Sequence, residues 1–374
     1  MRKIKKIFAA GPSITNHEIN VVNNMMKNHW DDYTFVEKFE KNFSNFHKRK
    51  YGLMTPSCTL AIHLILKTLR LKKNDEIIVP ITTWTASIAP IVDIGAKPVF
   101  VDVKYDSWCI DDELIEEKIT KKTKAILAVD LYGNMPSYKN LIKICKKYKL
   151  FLIEDAAEGL GSTYYKQKAG KFGIASVHSF HRTKTISTGE GGFLLIDDKK
   201  IFQRAKKLRD LGRSLIDPYI AEEVSLKYMP SNLQAAMGCA QLDRIKDLLK
   251  IKKNIFNQYS RTLKKNKISF SANISDKTQK NGYWATTIVY DKKYKIDALK
   301  LILLLKKKNI PARNFFAPLT MQKAYLKFKK NKENFPVAKN LYKSGITLPC
   351  HYKLTNEQIK FICDTISEIL KSKI

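Results

Sequence analysis

Residues 124–155 read KAILAVDLYGNMPSYKNLIKICKKYKLFLIED. The apolar run 124–133 reads as a buried strand. Residues 138–149 alternate lysines with apolar side chains at helical spacing, which predicts an amphipathic helix. Residues 150–155 form a second apolar run that ends in two acids, Glu154 and Asp155. A strand, a helix and a strand in this order predict parallel pairing, with helices covering the sheet. Such sheets bind ligands beyond the carboxyl ends of their strands. Asp155 stands at one of those ends.

The same alternation extends on both sides. Residues 76–80 and 98–103 read as strands. Residues 62–71 and 86–95 read as helices, the second despite Pro90. Residues 111–119 read as a helix that starts on a good N-cap with an acidic first turn. Past residue 200 the pattern shifts to long helices at 201–212 and 232–266. A strand at 282–290 and helices at 295–309 and 355–370 follow. The expectation is an α/β chain of two domains. Residues 1–245 form a large domain with a mostly parallel sheet, and residues 246–374 a smaller α+β domain.

The 374 residues carry a formal net charge of +33, a balance that raises nucleic acid or an anionic membrane as partner. The lysines are spread from end to end instead of gathering in one stripe, so neither partner is expected. A salt-resistant affinity for duplex DNA would be the sign of a nucleic-acid-binding protein. The six cysteines form no CxxC pair and no zinc spacing with histidine. They read as free thiols of a reducing cytosol, and no metal site is expected. The start, MRKIKKIFAAGPSIT, has too short an apolar run for a signal peptide. No stretch reaches the length of a membrane span. The chain reads as soluble and cytoplasmic.

Residues 179–192, SFHRTKTISTGEGG, set Lys184 in a polar, glycine-rich loop. A lysine amine attacks carbonyls only after losing its proton, which a confined cationic site promotes. If it holds an aldehyde cofactor, three supports are needed. An acid must face the pyridine nitrogen, backbone N–H groups must cradle the phosphate, and an aromatic surface must stack on the ring. Asp155, the helix start at Ser57, Cys58 and Thr59, and Trp84 can supply them. Each also has a plain reading: a turn residue, an N-cap, a core tryptophan. Periodicity and spacing alone reach only an α/β enzyme with a lysine in an unusual loop.

Residues 154–198, EDAAEGLGSTYYKQKAGKFGIASVHSFHRTKTISTGEGGFLLIDD, resemble the signature region of the DegT/DnrJ/EryC1/StrS sugar aminotransferases. The likeness continues through TPSCTLAIHL, DEIIVPITTWTASIAPIVDIGAKPVFVDV, SNLQAAMGCAQLDRI and IPARNFFAPL, so it covers nearly the whole chain. It implies a fold-type I enzyme dependent on pyridoxal 5'-phosphate. Lys184 would link to the cofactor and carry the proton between cofactor and substrate carbons. Asp155 would pair with the ring nitrogen, Glu158 would stand near the ring hydroxyl, and Trp84 would stack on the ring. Cys58, Thr59 and Ser179 would hold the phosphate. Asn232 would reach the phosphate in a neighbouring subunit, which implies a homodimer with shared active sites.

Lysine at 184 favours transamination over the dehydration run by relatives with histidine there. The resemblance implies L-glutamate as donor. It implies a nucleotide-linked 4-keto-6-deoxyhexose as acceptor, as in perosamine synthesis for surface glycans. His181, Arg182 and Arg313 are the candidates for substrate contact. Arg182, Met229 and the loop 28–40 depart from the family pattern. They keep open a small phosphorylated ketone, such as dihydroxyacetone phosphate, as the acceptor. A catalytically silent cofactor-binding relative is a further alternative.

Overall fold

The computed structural model describes residues 6–214, 216–330 and 333–374. The basic start of the chain, residues 1–5, lies outside them. Two helices come first, α1 (Asn16–Asn28) and α2 (Thr34–His47). Alternation then begins with β1 (Tyr51–Thr55), α3 (Cys58–Thr68), β2 (Glu76–Pro80), α4 (Ala89–Asp93) and β3 (Lys97–Val101). It continues through β4 (Thr123–Val129), α5 (Tyr138–Tyr148) and β5 (Phe151–Asp155). The short β6 (Thr163–Tyr164) and β7 (Gln167–Lys168) precede β8 (Ala175–Ser179), β9 (Gly192–Ile196) and α6 (Lys199–Arg209).

Seven of these strands form one sheet in the order β1-β9-β8-β5-β4-β2-β3. Neighbours from β3 to β8 are parallel, and β9 runs antiparallel to both β8 and β1. The parallel strands therefore bring Thr55, Pro80, Val129, Asp155 and Ser179 to one edge. Gly192, the first residue of β9, pairs there with both Thr55 and Ser179. Alternate side chains feed two layers. Ile77, Val79, Leu127 and Ile153 pack with Ile62, Ile65 and Leu66 of α3. Ile78, Ile126, Ala128 and Leu152 pack with Leu141, Ile144 and Cys145 of α5. This is the mostly parallel α/β sheet that the sequence leads one to expect.

The rest of the chain adds α7 (Asn232–Asp243), α8 (Ile245–Lys265), β10 (Phe270–Ala272), β11 (Gln279–Lys280) and β12 (Thr286–Tyr290). It ends with α9 (Ala298–Lys307), β13 (Arg313–Asn314), α10 (Lys323–Leu326), α11 (Pro336–Ser344), β14 (Gly345–Leu348) and α12 (Asn356–Lys371). A second, antiparallel sheet has the order β10-β12-β14-β13. Its first strand comes after α8, and α8 packs along α12. β11 pairs with β6, which ties this part to the first sheet's connections. Among the described residues no helix is long and apolar enough to cross a membrane, and no cluster of metal-ligating side chains occurs. All six cysteines are unpaired and buried.

Several elements differ from the sequence expectation. Residues 111–119 form two 3-10 turns, Asp112–Leu114 and Glu116–Lys118, not a helix. The acids meant for its first turn are drawn to the Lys104 ammonium, 3.7, 3.0 and 2.9 Å from Asp111, Asp112 and Glu113. The expected helix 232–266 is broken at Arg244. The Arg244 guanidinium binds the Ser13 carbonyl and the buried Glu18 carboxylate of α1. Residues 28–40 are not one loop, because α2 begins at Thr34. The strand expected from 282 starts at Thr286, since Tyr283 takes φ +55°. The strand expected over 124–133 ends at Val129, where a 3-10 turn puts Tyr132 at φ +52°.

Candidate active site

The carboxyl edge of the first sheet gathers the residues that carry chemistry. The chain leaves β8 at Ser179, loops through Lys184 and returns at Gly192. Backbone bonds Phe180 N to Gly191 O and Thr188 N to Phe180 O, 2.9 and 3.0 Å, close the loop base. The Lys184 N–H donates to the His181 carbonyl at 2.8 Å, a tight turn that lifts the side chain inward. Its ammonium lies 3.2 Å from Glu158 Oε1 and 3.8 Å from the centroid of the Trp284 ring.

Glu158 is buried, and its other oxygen accepts the Tyr132 backbone N–H at 2.8 Å. Burial pushes its carboxyl pKa up, and the Lys184 ammonium pulls it partly back. Asp155, at the end of β5, is also buried. Its oxygens accept from Ser87 Oγ at 2.7 Å and from the Ala157 N–H at 3.1 Å. Burial raises its pKa, and these two donors with Lys184 offset only part of that. A buried carboxylate supported only by neutral donors suits a cationic N–H as its missing partner.

Three strands along from β5, β1 runs into α3. Ser57 caps that helix, its Oγ accepting the Leu60 N–H at 3.2 Å, while Ser57 O accepts the Ala61 N–H. The Cys58 and Thr59 N–H groups, the first of the helix, are left to an outside acceptor, as suits a phosphate. Gly192 makes this cradle possible: a Cβ there would stand 2.2 Å from the Ser57 carbonyl carbon and 2.4 Å from Cys58 N. The Cys58 thiol is buried, and burial with the Asp155 charge pushes its pKa well up, so it stays protonated. Ser179 Oγ, beside Gly192 at the end of β8, accepts the His181 N–H at 3.3 Å. Trp84 follows β2 on this edge and is 59% exposed, an apolar side chain open to a planar ring.

The substrate candidates lie on the outer side. Arg182 and Arg313 are exposed. His181 is half-buried, with Nδ1 2.9 Å from Thr183 Oγ1 and Nε2 3.6 Å from Glu190. Burial lowers its pKa, and the Lys184, Arg182 and Arg313 charges add to this against Glu190, so the imidazole is neutral near pH 7. Arg313 lines a cavity of about 40 Å³ with Tyr132, Thr183, Trp284 and Phe316. A roomier surface groove of about 540 Å³, beside α9 and α11, contains none of these residues.

Asn232 is the candidate expected to serve a neighbouring subunit's site instead of this one. It opens α7, and its Oδ1 accepts the Phe35 and Val36 N–H groups at 3.0 and 3.2 Å. Its Nδ2 donates to His29 O and Asp32 Oδ1. Within one subunit it thus caps α2. Sequence reasoning missed Ser87, Tyr132, Gly192 and Trp284 as parts of the site. Ser87 and Trp284 lie in TWTAS and GYWAT, where no spacing marks them as neighbours of Asp155 and Lys184.

The edge thus offers a lysine amine, a buried acid, a phosphate cradle and an aromatic face, the set that pyridoxal 5'-phosphate needs. A curated GDP-perosamine synthase of Escherichia coli O157:H7 is 34% identical over 373 residues, covering 99% of this chain and all of the relative. One from Vibrio cholerae is 32% identical over 357 residues, covering 95% and 96%. Among solved structures, Helicobacter pylori PseC, an aminotransferase involved in the biosynthesis of pseudoaminic acid, superposes with a TM-score of 0.90 at 26% identity, covering 98% of this chain and 100% of that one. The model of the DegT/DnrJ/EryC1/StrS aminotransferase family matches residues 12–367. This chain belongs to that family and is a pyridoxal-phosphate-dependent aminotransferase.

Proposed function

We propose that the chain moves an amino group from L-glutamate to a nucleotide-linked 4-keto-6-deoxyhexose, in the manner of a GDP-perosamine synthase. The observation that carries this reading is the Lys184 amine held by Glu158 at the edge where Asp155 ends β5. The full-length likeness to two GDP-perosamine synthases supports the acceptor class. The small-ketone alternative has no comparable support. Biosynthesis of a surface glycan in the cytoplasm is the setting that goes with this reading.

Bound pyridoxal phosphate supplies an electron sink that acidifies the carbon bearing the transferred nitrogen. Asp155 would hold the ring nitrogen protonated, with Ser87 keeping the carboxylate aimed. Cys58 and Thr59 would offer N–H groups to the phosphate, with Ser179 beside them, and Trp84 would cover the ring face. Glu158 would hold Lys184 in place and stand near the ring hydroxyl. Lys184 would take a proton from one carbon and return it to another, base in one half of the cycle and acid in the other. Arg182 and Arg313, with His181, would meet the anionic groups of the acceptor. A homodimer with shared sites is part of the proposal, and Asn232 would then meet the phosphate in the partner's site.

The test is a split reaction followed by visible absorbance. L-glutamate should bleach the yellow of the loaded protein. After glutamate is removed, GDP-4-keto-6-deoxymannose should restore the colour, and dihydroxyacetone phosphate should not. Colour restored only by the small ketone would overturn the acceptor class. No bleaching by glutamate would overturn the donor.

A further inference from the structure

We propose that Trp284 is the positioning residue of Lys184, holding its amine in one place through both halves of the reaction. The indole grips the lysine loop at two points. Its Nε1–H donates to the Thr183 carbonyl at 2.7 Å, the peptide group that leads into Lys184. Its ring face receives the Lys184 ammonium at 3.8 Å from the centroid, an attraction between a cation and the negative face of the ring. The ring cannot turn away. It is 8% exposed, and Tyr132 lies nearly parallel to it, 7° between planes and 6.1 Å between centroids.

Tyr132 joins this clasp to the carboxylate on the other side of the amine. Its own N–H donates to Glu158 Oε2, while Glu158 Oε1 meets Lys184 Nζ. Its hydroxyl accepts the Phe316 N–H at 3.0 Å, and its carbonyl accepts from Asn273 and Asn281 at 2.8 and 3.2 Å. A tyrosine held at φ +52° by so many partners fits a fixed support of a functional group. A free lysine stem has four rotatable bonds. An amine that is released and must return to the same carbon gains from a clasp that removes that freedom.

The inference rests on Lys184 being the reacting amine, and its first test needs no turnover. Protein free of cofactor, labelled with 13C at lysine Cε, is compared by NMR with Trp284→Leu and Trp284→Phe. A Cε–Hε signal moved upfield by the ring current is expected. It should be absent from Lys184→Ala and return among the other lysines in Trp284→Leu. No upfield signal, or one that survives Trp284→Leu, overturns the proposal whatever the enzyme's substrate. Should the leucine variant fail to fold, Trp284→Phe serves: a smaller ring without the N–H should reduce the shift, and an unchanged shift overturns the proposal. In the glutamate half-reaction Trp284→Phe should lower kcat by about tenfold with KM within about twofold. A raised KM with kcat intact would assign Trp284 to substrate binding instead.

Discussion

At the residue scale, the proposed chemistry depends on two side chains, Lys184 and Asp155. Lys184→Ala should abolish transamination while the far-UV circular dichroism of the folded chain is kept, since the amine makes one ion pair with Glu158 and one contact with the Trp284 ring. Residual turnover in a half-reaction assay would remove Lys184 from the mechanism. Asp155→Ala should slow the glutamate and acceptor halves alike, by about a hundredfold or more, because a cofactor partner serves both. A variant slowed only with the acceptor would place Asp155 against substrate. The candidate lysine and acid, Lys184 and Asp155, were legible in the sequence from a glycine-rich loop and a strand end. Ser87 was not. Its hydroxyl meets Asp155 only because β2 and β5 end on one edge, 68 residues apart in sequence.

At the element scale, close approach and buried charge set the limits. Gly192→Ala would push a methyl into the Ser57 carbonyl and Cys58 N, which are backbone atoms that cannot rotate away. The expected cost is about 1–3 kcal/mol of stability, with weaker cofactor retention. Urea denaturation and cofactor titration would show it, and an unchanged affinity would take the α3 amides out of the cradle.

Behind Asp155, Glu154 points into the core beside the buried Asp130, and burial pushes its carboxyl up to about 7. Its native pKa lies above the unfolded value near 4.5. The folded state thus binds the extra proton between these values. Its stabilisation is complete below the unfolded pKa and is lost as pH rises through the native one. The loss falls between about pH 5 and pH 8 and belongs to the Glu154–Asp130 pair, which holds the proton together. Glu154→Gln should flatten that part of the stability profile, measured by denaturation at both pH values. An unchanged slope would show that Glu154 titrates normally. The helices and strands of this layer were readable from their period, whereas the failed helix at 111–119 was not. Its acids look like a helix start until Lys104, from another segment, claims them.

At the scale of the whole molecule, the division proposed after residue 245 falls at the start of α8, and several bonds cross it. Asp102, just past β3, caps α11 from the first sheet: its oxygens accept the Val337 and Ala338 N–H groups, each at 3.0 Å. Leu319 N–H donates to the Ile81 carbonyl at 2.9 Å, and Cys350 N–H to that of Ala9 at 2.8 Å. Asp102→Ala should cost about 1–2 kcal/mol, as loss of a helix cap does, and Asp102→Asn less because the amide oxygen still accepts. Equal stability of the alanine variant would show that the two parts hold without this cap. These contacts also place Trp284 and Arg313, from the second part, at the edge of the first sheet.

The sequence by itself determined what local period, strand-end chemistry and a signature segment can carry. These are the parallel sheet, the lysine in its glycine-rich loop, the acid at the end of β5, the helix start at Ser57, and the family. Each depends on residues near one another along the chain or on a pattern repeated along it. The tertiary structure alone decided which distant residues complete the site. It brought Ser87 to Asp155, Tyr132 to Glu158 and Trp284 to Lys184, and it turned Asn232 to the cap of α2. The physical reason is that a side chain finds its partner through burial and hydrogen bonding in three dimensions, and chain spacing carries no record of those distances.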